Sequence, residues 1–395
     1  MTAATVSRWA RRFVFAGAVF LLAWALAALA GVPRRVEVAL LLFGFVFHTV
    51  FGKGYSLVPA YFDRELALSR APMVQFPLTV LGTVLLAVAG ETGTPAWTGQ
   101  AGAVLWFLGV LVFVGALLWT IRGDLSGAAT GTGDVNAHRR ALDRVANAFV
   151  PVALAYLLLG SYGLLAGQTG LPVLFDGSPA RATHLLAAGT GAMFVFAVGF
   201  RLLPRFFVAK PPTAAPLLVL PPAVGGPALI ATYLPAGPWF QLGALLESTA
   251  IVAFAIVLVV LYRQSERRRV GFLGVLAGAA CGCLGVGLGL QFAYGGLDPG
   301  LGLAHARLNL AGFLGLTIVG VSYQFYPPAV GSFPGAGDRT ALAVIASLLV
   351  GLVFGAAGLS FDISRLATLG ELLALVGAGL HAWLLGGLFR QRANR

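Results

Sequence analysis

Residues 305–327, HARLNLAGFLGLTIVGVSYQFYP, decide how the whole chain is read. His305 is followed by Gly320, Tyr323 and Pro327, and the same comb of residues occurs twice earlier. Glu37 leads to Gly52, Tyr55 and Pro59, and His184 leads to Gly199 and Pro204. The first residue precedes its Gly by 15 positions every time, and its Pro by 22, 20 and 22. The three segments read as one ancestral helix used three times. They lie four hydrophobic stretches apart, which predicts pseudo-repeats of approximately 1–130, 131–269 and 270–395 within a single membrane domain, 1–395.

Working outward, composition fixes the solvent. Hydrophobic residues make up 58% and charged residues 10% of the 395, and the mean hydropathy is +0.89. No soluble core hides that much apolar surface, so the expected fold is an all-α polytopic membrane protein. Twelve predominantly apolar stretches are readable, at roughly 12–31, 36–58, 73–90, 99–121, 145–167, 181–203, 214–235, 239–262, 270–292, 303–325, 340–360 and 366–389. Each is near the ~20 residues that a helix needs to cross a bilayer.

Arg and Lys set the orientation. Arg8, Arg11, Arg12, Arg64, Arg70, Arg122, Arg139, Arg140, Arg144, Arg201, Arg205, Lys210, Arg263, Arg267, Arg268, Arg269, Arg339, Arg390, Arg392 and Arg395 fall on one side. Arg34, Arg35, Arg181, Arg307 and Arg365 fall on the other. Both termini are therefore expected to be cytoplasmic, in the plasma membrane, with lipid as the one sure partner. The formal net charge of +12 is a topology signal rather than a nucleic-acid footprint, because the charges are dispersed over short loops.

The first stretch is kept as a helix rather than a cleaved signal peptide, despite Ala28-Leu29-Ala30, because it is longer than a signal core and its loss would leave the first repeat one helix short. Cys281 and Cys283, as C-x-C on one helix, point apart and read as small buried hydrophobes. The segment Gly123 to Gly133 has almost no apolar bulk and is the joint between the first and second repeats.

Polar residues within the spans are costly in hydrocarbon and mark where function is to be sought. They are Glu37 and His48 on the second stretch, His184 on the sixth, Glu247 on the eighth, His305, Arg307 and Asn309 on the tenth, and Glu371 and His381 on the twelfth. The comb puts Glu37, His184 and His305 at one depth, near the outer ends of their helices. Glu37 with Arg307 reads as a structural ion pair, since opposite charges at one depth offset a shared desolvation cost. His48, about 16 Å deeper than Glu37 at 1.5 Å per residue, reads as a packed core histidine. Glu247, Glu371 and His381 read as buried hydrogen-bonding residues, with a proton or solute path as the other use; His138 is a solvated loop residue. His184 and His305 are either interhelical hydrogen-bonding residues or ligands. No P-loop, dinucleotide fingerprint, cysteine metal motif or nucleophile elbow is present.

The tenth stretch, from His305-Ala306-Arg307 through Gly312 and Gly315 to Gly320, Tyr323 and Pro327, resembles the tenth helix of the catalytic subunit of haem-copper oxidases, especially the C family. Twelve helices, cytoplasmic termini and three pseudo-repeats are similar to that family over the whole chain. His184 through Gly189 to Arg201 also resembles the NnrS family of haem- and copper-containing membrane proteins. The resemblance implies that His305 stands at the axial ligand of a high-spin haem, and His184 at the first ligand of the active-site copper. It also implies losses. Arg307 and Glu37 stand where the low-spin haem takes its two ligands, and neither is a plausible replacement. Gly226-Pro227 is followed by Ala228 and Leu229 where the family has adjacent copper-binding histidines, so no copper is expected.

Two functional expectations follow. The first is a degenerate haem-copper-oxidase-like membrane protein with one haem b, held by His305 and faced by His184, serving redox chemistry, gas binding or sensing with an unidentified redox partner. The second is a cofactor-free transporter or assembly protein on the same bundle.

Overall fold

A computed structural model describes residues 3–393; Arg395, counted above with the basic side, lies outside them. Every regular element among the described residues is helical. Twelve helices are long and apolar enough to cross a membrane: α1 (Thr5–Leu29), α2 (Arg34–Tyr61), α3 (Ala71–Val88), α4 (Trp97–Ile121), α5 (Asp134–Thr169), α6 (Pro179–Phe207), α7 (Ala215–Tyr233), α8 (Pro238–Gln264), α9 (Val270–Gly295), α10 (Gly300–Val330), α11 (Asp338–Ser360) and α12 (Ser364–Arg392). The chain is an all-α, multi-pass membrane protein.

Burial sorts the helices into two sets. The most apolar windows of α2, α6 and α10 are 83, 72 and 83% buried, against 39–50% for the other nine. The helices that carry the comb are thus the inner wall, and the nine others surround them. Each inner helix packs against the helices that flank it in sequence: α2 on α1 and α3, α6 on α5 and α7, α10 on α9 and α11. α12 closes the ring on α1. Three arcs result, one within α2–α6, one within α6–α10, and one within α10, α11, α12, α1 and α2.

All three inner helices leave the α-helical ladder at corresponding places. π-Helical stretches run over Ala39–Val46 in α2, Leu185–Ala192 in α6 and Leu308–Leu316 in α10, beginning two, one and three residues after Glu37, His184 and His305. The three stretches touch one another on the axis of the bundle. Such widened turns are rare and concentrate at functional sites. Gly191 and Gly315 permit the close approach: an added Cβ would lie 3.0 Å from Leu314 Cδ1 and 3.2 Å from Phe45 Cε1 respectively. The i to i+5 register also shows in side chains. His48 Nδ1 donates to Phe43 O at 2.9 Å, and Thr190 Oγ1 to Leu185 O at 3.2 Å.

The α4–α5 connection is a pinned loop. Its polar, glycine-rich composition carries no hydrophobic packing, so hydrogen bonds hold it instead. The Asp124 carboxylate accepts from the N–H groups of Ala128 and Ala129 and from the Ser126 hydroxyl. Gly131 sits at φ +56°, with the place of a Cβ 2.5 Å from Ala60 O. Thr130 O accepts from Arg201 Nη2 at 2.7 Å.

Candidate functional site

His305 is fixed from two neighbours. Its Nδ1 meets Gly285 O of α9 at 2.8 Å, and Asn309 Nδ2 donates to the His305 carbonyl at 2.9 Å. Gly289, one turn along α9, leaves room for the ring, since a Cβ there would stand 3.3 Å from His305 Cε1. His184 is fixed by its own helix, with Nδ1 on Ala180 O at 2.9 Å. A carbonyl can only accept, so both rings carry their proton on Nδ1 and present a lone pair at Nε2. No hydrogen bond involves either Nε2 among the described residues. The ring centroids are 6.3 Å apart with planes tilted by 31°.

Two adjoining cavities, of about 140 and 70 Å³, share Arg34, His184, Glu247, Val286 and His305 in their walls. Apart from those polar groups the walls are mostly apolar, among them Ile230, Phe240, Phe292, Leu310 and Phe313. Glu247 Oε1 is buried with no partner. Gly226 of α7 packs against it, and an added Cβ there would be 2.6 Å from Glu247 Cγ. α7, the helix in which the resemblance expects two histidines, meets Glu247 through Gly226 and reaches the cavity wall at Ile230 and, just past its end, Leu234, while Ala228 is exposed and neither it nor Leu229 lines the cavities.

Does this site suit a haem? The donors do. Metal–imidazole bonds of ~2 Å on both sides of one ion put ring centroids roughly 6 Å apart. Nδ1–H groups anchored on carbonyls are the outer-shell arrangement that orients ligating histidines. The space is narrower than the group, because cofactor pockets start at ~300 Å³ and these two cavities are about 140 and 70 Å³. A macrocycle between the rings requires the slot to widen.

Glu37 and Arg307 are in the third arc. Arg307 Nε and Nη2 donate to Glu37 Oε2 and Oε1, both at 2.8 Å, in a bidentate pair. Trp24 Nε1 of α1 donates to Glu37 Oε2 at 3.0 Å, and Arg307 Nη1 reaches Glu371 Oε1 of α12 at 3.0 Å. Glu37 is 3% and Arg307 7% exposed. Two charged groups are held out of water here because both Glu37 oxygens and all three Arg307 nitrogens are hydrogen-bonded.

The remaining histidines are separate from this end. His48 lies among Phe13, Phe20 and Phe51. His381 Nδ1 is 3.1 Å from the Tyr323 hydroxyl. His138 is in the opening 3-10 turn of α5, next to Arg139. Sequence reasoning missed a second buried ionic cluster at the opposite end of the bundle. Arg201, 4% exposed, donates to Tyr61 O and to Asn147 Oδ1, and Arg205 pairs with the wholly buried Asp143 at 2.7 Å. Two i, i+4 pairs, Asp143 with Asn147 and Arg201 with Arg205, were the available signal; both arginines had been counted toward topology.

No family model matches this chain, and no curated protein matches it in sequence.

Proposed function

We propose that this chain is a haem-copper-oxidase-like membrane protein reduced to one redox or gas-binding centre, a b-type haem with His305 as axial ligand and His184 on the opposite face. The observation that carries the reading is the imidazole pair, anchored through Nδ1 and uncommitted at Nε2. A bound haem supplies reversible iron redox and diatomic-ligand chemistry. The chain supplies tautomer, orientation and an apolar surround that keeps water from the iron. The Arg307 triad supports a single haem, because it occupies the arc that the resemblance assigns to the low-spin one. Electron transfer, gas binding or sensing fits this donor set better than oxygen or nitric oxide reduction, since Ala228 and Leu229 leave no imidazoles for copper. Placement in the plasma membrane with both termini cytoplasmic belongs to the same reading.

Optical spectra of protein purified from haem-replete cells test it. Wild type should show a Soret band, His305→Ala should lose it, and His184→Ala should keep haem with an altered ligation state. Wild-type protein without haem would overturn the reading. The narrow slot favours one alternative, a cofactor-free transporter or assembly protein on the same bundle.

A further inference from the structure

A cavity larger than the histidine slot lies elsewhere in the bundle. It lies within α2–α6, has a volume of about 610 Å³, and opens at the same end of the bundle. That size falls within the ~300–1,000 Å³ of ligand sites. Its floor is apolar and buried, formed by Ala39, Phe43, Ala182 and Leu186, and its rim is exposed and polar, with Arg34, Arg35 and Gln168. Phe43 lies nine residues down α2 from Arg34, about 13 Å at 1.5 Å per residue. The cavity is therefore a pocket with a polar mouth and a hydrophobic bottom.

The charge at the mouth is positive. Arg35 is spent on Glu91, at 2.6 Å. Arg34 makes no hydrogen bond or ion pair among the described residues, and the nearby acid, Glu37, is already satisfied by Arg307 and Trp24. Three long helices, α2, α4 and α6, begin at this rim, and none has a side-chain cap. Each N-terminus carries roughly half a positive charge and unpaired N–H groups. α3 and α5 end at the same rim and offset part of that field. Arg34 then decides the sign.

We propose that this arc binds an anionic amphiphile, with a phosphate or carboxylate head at Arg34 and the adjoining helix N-termini and an apolar body reaching Phe43 and Leu186. The proposal does not need a haem, but Arg34 lines the histidine slot as well, so Gly167, which lines this cavity and not the slot, is the position that separates the two sites. The head could come from an acidic phospholipid or from a free long-chain carboxylate, and the test separates them. Native mass spectrometry of the purified protein is titrated with phosphatidylglycerol, phosphatidylcholine and myristate. Two variants are compared with wild type: Arg34→Gln removes the cation, and Gly167→Leu fills the cavity at a position where a Cβ has 3.7 Å of clearance.

One equivalent of an anionic probe should bind wild type at least tenfold more tightly than phosphatidylcholine, with at least tenfold loss in both variants. Preference for phosphatidylglycerol assigns the site to lipid, and preference for myristate to a soluble acid. Equal binding of all three probes, no anionic binding to wild type, or affinities unchanged in both variants would overturn the proposal. The Soret band, read on the same samples, reports the haem separately: its absence with amphiphile binding intact counts against the haem alone.

Discussion

At the scale of single residues, Arg307 is the hinge of the third arc, because it satisfies two carboxylates at once. Removing it strands Glu37 in a dry environment, so Arg307→Gln should cost roughly 3 to 5 kcal/mol of stability. Glu37→Gln should cost somewhat less, since Arg307 keeps Glu371. Glu371, whose side chain is 17% exposed, is the more solvated of the two carboxylates, so Glu371→Gln should cost less than Glu37→Gln. The double Gln variant should cost clearly less than the sum of its parts, as directly bonded partners do. Thermal unfolding in one detergent measures the order, and Glu37→Gln and Arg307→Gln that are both silent would contradict it. The Glu37–Arg307 partnership was legible from the comb, which puts both near one depth on inner helices. Trp24 and Glu371 were not legible, because they come from α1 and α12, outside the comb, and nothing local ties them to it.

At the scale of elements, hydropathy located all twelve spans but gave no sign of the π-helical stretches. Leu185–Ala192 and Leu308–Leu316 are as apolar as any α-helix, and only the packing of three helices about one axis distinguishes the registers. The hydrogen bonds of the α4–α5 connection were not legible for a related reason: composition reports missing hydrophobes, not hydrogen bonds. Its first turn hangs on Asp124. The N–H of Ala129, the Ser126 hydroxyl and the N–H of Ala128 hold that carboxyl below its usual range. A depressed carboxylate stabilises fully above its unfolded value, near pH 4, and the contribution is lost as pH falls through the folded value. Hydrogen exchange of residues 125–133, corrected for intrinsic pH dependence, should therefore be slow and flat at neutral pH and accelerate below about pH 4. Asp124→Asn should exchange faster already at pH 7; unchanged exchange in that variant would show that Arg201 and Arg140 order the loop alone.

At the scale of the whole molecule, three arcs of similar build hold three different contents: an amphiphile-sized cavity, an imidazole slot and an ionic plug. Glu37, His184 and His305 lie near the starts of the three inner helices; Glu37 belongs to the plug, both histidines to the slot, and none of the three lines the large cavity. All three contents are at one end of the bundle, and the side that end faces decides which donor, gas or amphiphile reaches them. Arg and Lys are concentrated at the opposite end, which by charge bias is the cytoplasmic one. Single cysteines test this, introduced into a Cys281→Ala, Cys283→Ala background at exposed positions where the side chain makes no hydrogen bond. Thr92→Cys and Arg365→Cys mark the histidine end, and Glu65→Cys and Glu266→Cys the other. A membrane-impermeant maleimide applied to intact cells should label the first two and reach the second two only after permeabilisation. The reverse pattern would put the slot and the large cavity on the cytoplasmic side. Labelling split within either pair would contradict the common depth of Glu37, His184 and His305, and with it the threefold arrangement on which every reading of this chain rests.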